Sequence, residues 1–166
     1  MKKVIFISII FFFKLQVFAI ETPKKPNIIF ILADDLGYMD LACYGNPYNE
    51  TPHLTALAQN GVRFTQAYAA STVCSPSRAA IMTGLHPARL KLTNFLVGNR
   101  TEEDSPLLPA KWKTYLPSKE ITLAQRLKAL GYQTGMIGKW HLSGYKLHGA
   151  EYEVTPADHG FDWDFA

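Results

Sequence analysis

The chain has 166 residues, 48% of them hydrophobic and 19% charged, which is enough for one folded domain with a core and too apolar for a disordered chain. Its formal charge of +3 overstates its basicity. Three of the 17 basic residues, Lys2, Lys3 and Lys14, lie in the first nineteen positions, and the remainder carries 14 basic against 14 acidic side chains. That balance leaves no basic patch for nucleic acid, which is excluded as a partner class.

Taken in order, Lys2-Lys3, the apolar run Val4 to Phe13 and the cleavage site Val17-Phe18-Ala19, read from the flanking Val17 and Ala19, predict a secretory signal peptide over residues 1–19. Lys14 interrupts the apolar run and leaves it short for a bilayer, so no stable membrane anchor is expected. The expected destination is the periplasm or the exterior. Residues 20–166 then form the folded part. Asn27 to Ala33 is a continuous apolar run that predicts a strand buried on both faces, as in a parallel sheet. It runs directly into Asp34-Asp35-Leu36-Gly37. Paired carboxylates at the C-terminal end of a central strand sit where open α/β sheets place ligands, and their hard oxygens suit Ca²⁺ or Mg²⁺ rather than zinc. Thr51 to Gly61 predicts a helix with a cap, a first-turn proline and a glycine stop, with His53 on its surface. Val62 to Tyr68 alternates like a strand, and the small-residue loop 69–73 follows it.

Cys74-Ser75-Pro76-Ser77-Arg78-Ala79-Ala80-Ile81-Met82-Thr83-Gly84 predicts a short helix with chemistry at its front end. Ser75 suits an N-cap, Pro76 the first turn, and Gly84 the stop. Unpaired N–H groups and the positive end of the helix dipole favour an oxyanion there. Arg78 lies four residues beyond Cys74, so the two share a face, and a guanidinium forks onto a tetrahedral anion. A cysteine in that position is reactive. Cys43 is the only other cysteine, and a bridge between the two is an alternative in an exported chain. A cysteine-phosphatase loop fits less well, because it spaces Cys and Arg more widely.

Residues 85–118 are irregular, with Pro87, Pro106, Pro109 and Pro117 and the acidic cluster Glu102-Glu103-Asp104. Thr122-Leu123-Ala124-Gln125 then predicts a capping box, with Leu123, Leu127 and Leu130 as the apolar stripe of a helix closed by Gly131. Tyr132 to Ile137 predicts a strand that ends at Gly138-Lys139-Trp140-His141-Leu142, with Trp140 in the core. The chain closes on Asp158-His159-Gly160-Phe161-Asp162.

The Cys74 segment resembles the signature C-x-P-S-R-x-x-x-x-T-G of the formylglycine-dependent (type I) sulfatases and matches its fixed positions. The Asp34-Asp35, Gly138-Lys139-Trp140-His141 and His159-Gly160-Phe161-Asp162 segments resemble further family motifs, from about Pro26 to the last residue. The resemblance implies an alkaline-phosphatase-like α/β fold with a mixed or parallel sheet flanked by helices. It implies hydrolysis of a sulfate ester, with a sulfated glycan as the expected substrate. It also implies that a maturase converts Cys74 to 3-oxoalanine (formylglycine), whose hydrated form attacks sulfur with one hydroxyl and expels sulfate as the other deprotonates. Asp34, Asp35 and the modified Cys74 are then ligands of a calcium ion, with magnesium the less favoured metal. Arg78 and Lys139 bind the anion, and His141 orients the diol and takes a proton.

Family members continue for several hundred more residues, which carry further metal ligands and a second His and Lys. Calcium takes about six to eight oxygens, more than Asp34, Asp35 and Cys74 supply. The expectation is therefore a fold incomplete on its C-terminal side, with an exposed sheet edge and apolar surface. As a fragment it is expected to be inactive by itself. Two alternatives stand beside this reading: a phosphatase or phosphonate hydrolase of the same superfamily, and an inactive sulfate-ester-binding fragment.

Overall fold

The computed structural model describes residues 24–96, 106–107, 110–144 and 154–166. The signal-peptide segment 1–19 and the cluster Glu102-Glu103-Asp104 lie outside the described residues. The chain divides into two units, Met1–Leu32 and Ala33–Ala166. In the first unit, residues 24–32 follow no regular structure, and Ile29 and Ile31 are exposed. The strand expected over 27–33 is not formed. A buried parallel strand depends on hydrogen-bonded neighbours, and among the described residues no strand pairs with this segment.

The second unit opens with a 3₁₀ turn, Ala42–Tyr44, and the helix α1, Pro52–Asn60. Thr51 precedes α1 without capping it. Its Oγ1 accepts a hydrogen bond from the Ala42 N–H at 3.1 Å, tying the turn to the helix start. His53 is on the surface, as expected. The strand expected at 62–68 is also absent; Val62, Phe64 and Tyr68 are exposed, and the Phe64 carbonyl accepts from the Tyr44 hydroxyl at 2.9 Å. Its backbone is occupied by a side chain where a strand would need a neighbour.

Helix α2, Cys74–Thr83, is the element around which the core forms. Gly84 ends it in the left-handed conformation at φ 71°, its N–H bonding to the Ala80 carbonyl at 2.8 Å, a backbone state that glycine adopts without steric cost. A short helix α3, Pro87–Leu90, follows inside the region expected to be irregular; the His86 ring caps it by accepting from the Ala88 N–H. Ala79 of α2, Leu90 of α3, and Leu92, Leu116, Trp140 and Leu142 make one buried cluster, with Met82, Leu85, Met136 and Phe161 packed around it. Trp140 is in the core, as expected. Its indole N–H donates to the Val154 carbonyl at 3.2 Å, and its ring lies 5.5 Å from His159 and edge-on to Phe161 at 6.2 Å.

Helix α4, Leu123–Ala129, carries the expected capping box: the Gln125 N–H donates to Thr122 Oγ1, and the Thr122 N–H to Gln125 Oε1. Its apolar stripe is where the sequence misleads. Leu123 and Leu130 are exposed, and Ala124 is the buried residue. The cause is the turn 159–160, which packs on the capping box instead. Thr122 Oγ1 donates to the His159 carbonyl, and Gly160, at φ 94°, lies so close to Gln125 that an added Cβ would fall 2.5 Å from its side chain. The His-Gly pair is thus a packing device, and His159 is wholly buried.

Strand β1, Gly135–Ile137, pairs in parallel with β2, Trp163–Phe165, in the register Gly135 to Trp163, Met136 to Asp164 and Ile137 to Phe165. Asp162 locks the entry to the pair, accepting from the Thr134 N–H at 2.9 Å and from Lys128 of α4. Ile137 and Phe165 are exposed, the apolar sheet surface that was expected.

Candidate active site

Helix α2 begins at Cys74, two residues earlier than Ser75 as its cap would require. Val73, extended at φ −131° and ψ 160°, precedes it without a side-chain cap. Ser75 is turned inward instead: it is fully buried, and its Oγ accepts the Leu96 N–H at 3.0 Å. Pro76 lacks an N–H, and the helix makes its first backbone bond from Ser77 to Val73 at 3.4 Å. The N–H groups of Cys74 and Ser75 are left at the front of α2 without a backbone partner among the described residues. The Ser77 hydroxyl donates to the Ser71 carbonyl at 2.8 Å and ties the preceding loop to it.

One turn on, Arg78 is buried and forks in two directions. One nitrogen donates to Asp34 Oδ1 at 3.1 Å and the other to the Lys139 carbonyl, while Nε is buried without a partner among the described residues. Lys139 reaches the same position by a different route. It follows β1 directly, after Gly138 turns the chain at φ 98° with its N–H on the Phe165 carbonyl. Its ammonium donates to Asp34 Oδ2 at 2.6 Å. Asp34 thus carries a cation on each oxygen, brought from segments 44 and 105 residues away.

The Lys139 and Arg78 hydrogen bonds hold the Asp34 carboxyl below its usual range, and the bond to Asp34 raises the Lys139 ammonium. A depressed folded-state carboxyl stabilises the fold at pH above its unfolded value, about 3.9, and that contribution is lost as pH falls through the folded value. Asp34→Asn should therefore flatten the acid limb of stability below about pH 3.9; an unchanged acid limb in pH-dependent urea unfolding would remove Asp34 from the ion pairs.

His141 is held in the left-handed region at φ 55°, which a non-glycine residue adopts only under the constraint of its surroundings. Its Nε2 lies 3.3 Å from the Leu96 carbonyl, and its Nδ1 is buried without a partner among the described residues. Burial lowers its pKa, which favours the neutral ring. Lys139, His141, Ser143, Thr155 and Asp164 line an open cleft of about 590 Å³.

Of the predicted site residues, Asp34, Arg78 and Lys139 are directly joined. His141 connects to the start of α2 through Leu96. Asp35, at φ 56°, presents an exposed carboxylate without a hydrogen bond or ion pair among the described residues. Cys74 and Cys43 are both free thiols, so the alternative bridge is not formed. The donor chemistry at Asp34 and Asp35 fits a hard cation. Among the described residues, however, no group of three or more His, Cys, Asp or Glu side chains is placed to hold one, so these carboxylates supply only part of a shell. Two participants escape sequence reasoning: Ser75 occupies a variable position of the motif, and Leu96 takes part only through its backbone.

Parallel strands, a cation cluster just past the end of one of them, and a cysteine at a helix start define an α/β protein of the alkaline-phosphatase-like kind. The family model for Sulfatase matches residues 26–166, and the chain belongs to that family, the formylglycine-dependent sulfatases. It is 39% identical over 149 residues to an N-acetylgalactosamine-6-O-sulfatase of Bacteroides thetaiotaomicron, covering 87% of this chain and 27% of that protein. To arylsulfatase A of Homo sapiens it is 44% identical over 138 residues, covering 83% of this chain and 24% of that one. A crystal structure of Ps i-CgsB in complex with k-i-k-neocarrahexaose superposes with a TM-score of 0.65 at 34% identity, over 86% of this chain and 28% of that one. The chain spans about a quarter of the length of the relatives it matches.

Proposed function

We propose that this chain carries part of the active site of a sulfuric ester hydrolase acting on sulfated carbohydrate, with Cys74 converted to formylglycine by a maturase. The observation that carries the reading is the meeting of two distant motifs: Arg78 of the first and Lys139 of the second converge on Asp34 at the front of the helix that Cys74 begins. Two cations from different elements, beside free helix N–H groups, suit the oxygens of a tetrahedral anion. Arg78 and Lys139 hold those oxygens, exchanging part of their hold on Asp34 for the substrate. His141, whose burial favours the neutral ring, offers one ring nitrogen to a hydroxyl at position 74. A hydrated aldehyde at position 74 would supply the nucleophilic hydroxyl and a second hydroxyl, through which the carbonyl could re-form as the C–O bond to sulfate breaks. Asp34 and Asp35, together with the modified residue 74, would hold part of the shell of a calcium ion, which would supply positive charge at the anion.

Carbohydrate is favoured as substrate because similarity runs to an N-acetylgalactosamine-6-O-sulfatase and to a protein solved with a neocarrahexaose. Export is proposed from residues 1–19; among the described residues no helix is long and apolar enough to cross a membrane. These 166 residues supply one side of the anion, and by themselves they are proposed to lack turnover, since groups that act as a unit do not contribute additively.

Coexpression with a formylglycine-generating maturase, followed by mass spectrometry of the peptide spanning Cys74, tests the central claim. The expected product is the aldehyde in place of the thiol. A retained thiol, or a bridge to Cys43, would overturn it. Paired aryl sulfate and aryl phosphate assays on the same preparation, against Cys74→Ala, measure any turnover and its preference.

A further inference from the structure

We infer that Ser75 is a positioning residue for His141, acting through the backbone of Leu96 to hold the ring as its Nε2–H tautomer with Nδ1 free to accept a proton. The chain of contacts is continuous. The Leu96 N–H donates to Ser75 Oγ at 3.0 Å, and the Leu96 carbonyl faces His141 Nε2 at 3.3 Å. A carbonyl only accepts, so Nε2 carries the hydrogen, and Nδ1 of a neutral ring is then an acceptor. Both relay residues are buried, Ser75 at 0% exposure and Leu96 at 2%, so water does not compete for either bond. Nδ1 itself is buried without a partner among the described residues, which is costly for a polar atom and marks it as reserved for something the free chain does not hold.

The arrangement also explains why Ser75 faces inward when a serine at a helix start ordinarily caps the helix. Its hydroxyl has a longer-range task. It holds the Leu96 amide, and the Leu96 carbonyl, in the adjoining peptide unit, holds a ring 66 residues away from the serine. The ring so held belongs to a residue in the left-handed backbone region, at φ 55°. The purpose given to Nδ1, receiving a proton from a hydroxyl at position 74, rests on the sulfatase reading. The tautomer and its dependence on Ser75 do not.

The test is ¹⁵N NMR of histidine-labelled chain, which separates the two tautomers, with amide exchange at Leu96 read in parallel. In the wild type His141 should be Nε2–H. In Ser75→Ala the ratio of Nε2–H to Nδ1–H should fall about tenfold towards that of a free imidazole, and Leu96 exchange should rise about tenfold, the effect of losing one buried hydrogen bond. Ser75→Thr, which keeps the hydroxyl, should restore both. If Ser75→Ala does not fold, Ser75→Cys replaces it, since a thiol of similar size is a poor acceptor and should give the same two shifts. A wild-type ring protonated at Nδ1, or an unchanged tautomer ratio in a folded Ala or Cys variant, would overturn the proposal. Neither measurement needs a modified Cys74 or a substrate. An unmodified cysteine would therefore count against the sulfatase reading and leave this inference standing.

Discussion

Arg78→Ala should cost more than any other single change among the side chains that bind the anion. In an active polypeptide carrying this segment, turnover of an aryl sulfate should fall by about 10²–10³-fold, the usual loss when one fixed donor to a developing oxyanion is removed. The fold should suffer as well, by about 1.5–3 kcal/mol, because hydrogen bonds to a charged group are lost inside the protein. Arg78 is almost fully buried, so water does not replace what it binds. Removing it leaves the Lys139 carbonyl without its donor and Asp34 with one cation instead of two. Arg78→Lys should rescue little of either loss. A lysine ammonium is a point charge on a flexible stem, and it does not span an aspartate and a carbonyl in two directions as the planar fork does. Kinetics with denaturant unfolding on the three proteins would decide it. Wild-type turnover in Arg78→Ala would exclude the residue from anion binding, and full rescue by lysine would show that only the charge matters.

Trp140→Ala should give the largest loss of stability, about 3–5 kcal/mol, the range for removing a large aromatic from a core. The indole is buried among Ala79, Leu90, Leu92, Leu116 and Leu142, lies tilted against His159 and edge-on to Phe161, and donates to the Val154 carbonyl. Trp140→Phe should recover part of the packing and leave that carbonyl with the Ser143 hydroxyl alone as its donor. Because Trp140 lies between Lys139 and His141, the cavity should also loosen the site. Chemical unfolding measures the first effect, and the His141 tautomer signal reports the second. A loss below about 1 kcal/mol would show that the residue is not part of a packed core.

Local features were legible in the sequence wherever their cause was local. The helix of α2 and its glycine stop follow from a few adjacent residues, and so does the capping box of Thr122 and Gln125. Lys139 and His141 at the end of a strand were read from an apolar run broken by glycine. Failures came where a residue's state depends on a distant neighbour. The apolar run at 27–33 has the composition of a buried strand, but a strand exists only with hydrogen-bonded partners, and none is among the described residues. Leu123 and Leu130 have helical spacing, yet the turn at His159-Gly160 occupied the other side of α4 and chose Ala124 for burial.

The site divides along the same line. Its chemical inventory, a cysteine at a helix start, an arginine one turn on, paired carboxylates and a Lys-Trp-His triplet, is written in short motifs, because reactivity is a property of residue types at close spacing. That Asp34 would bind Arg78 and Lys139 at once was decided by tertiary structure, which brings three separate segments to one carboxylate. The role of Ser75 was decided there too. A serine beside a helix N-terminus has two low-energy uses, capping its own helix or bonding a distant backbone. Only the burial of Leu96 against it, which withholds water from that amide and leaves the serine oxygen as its partner, selects the second.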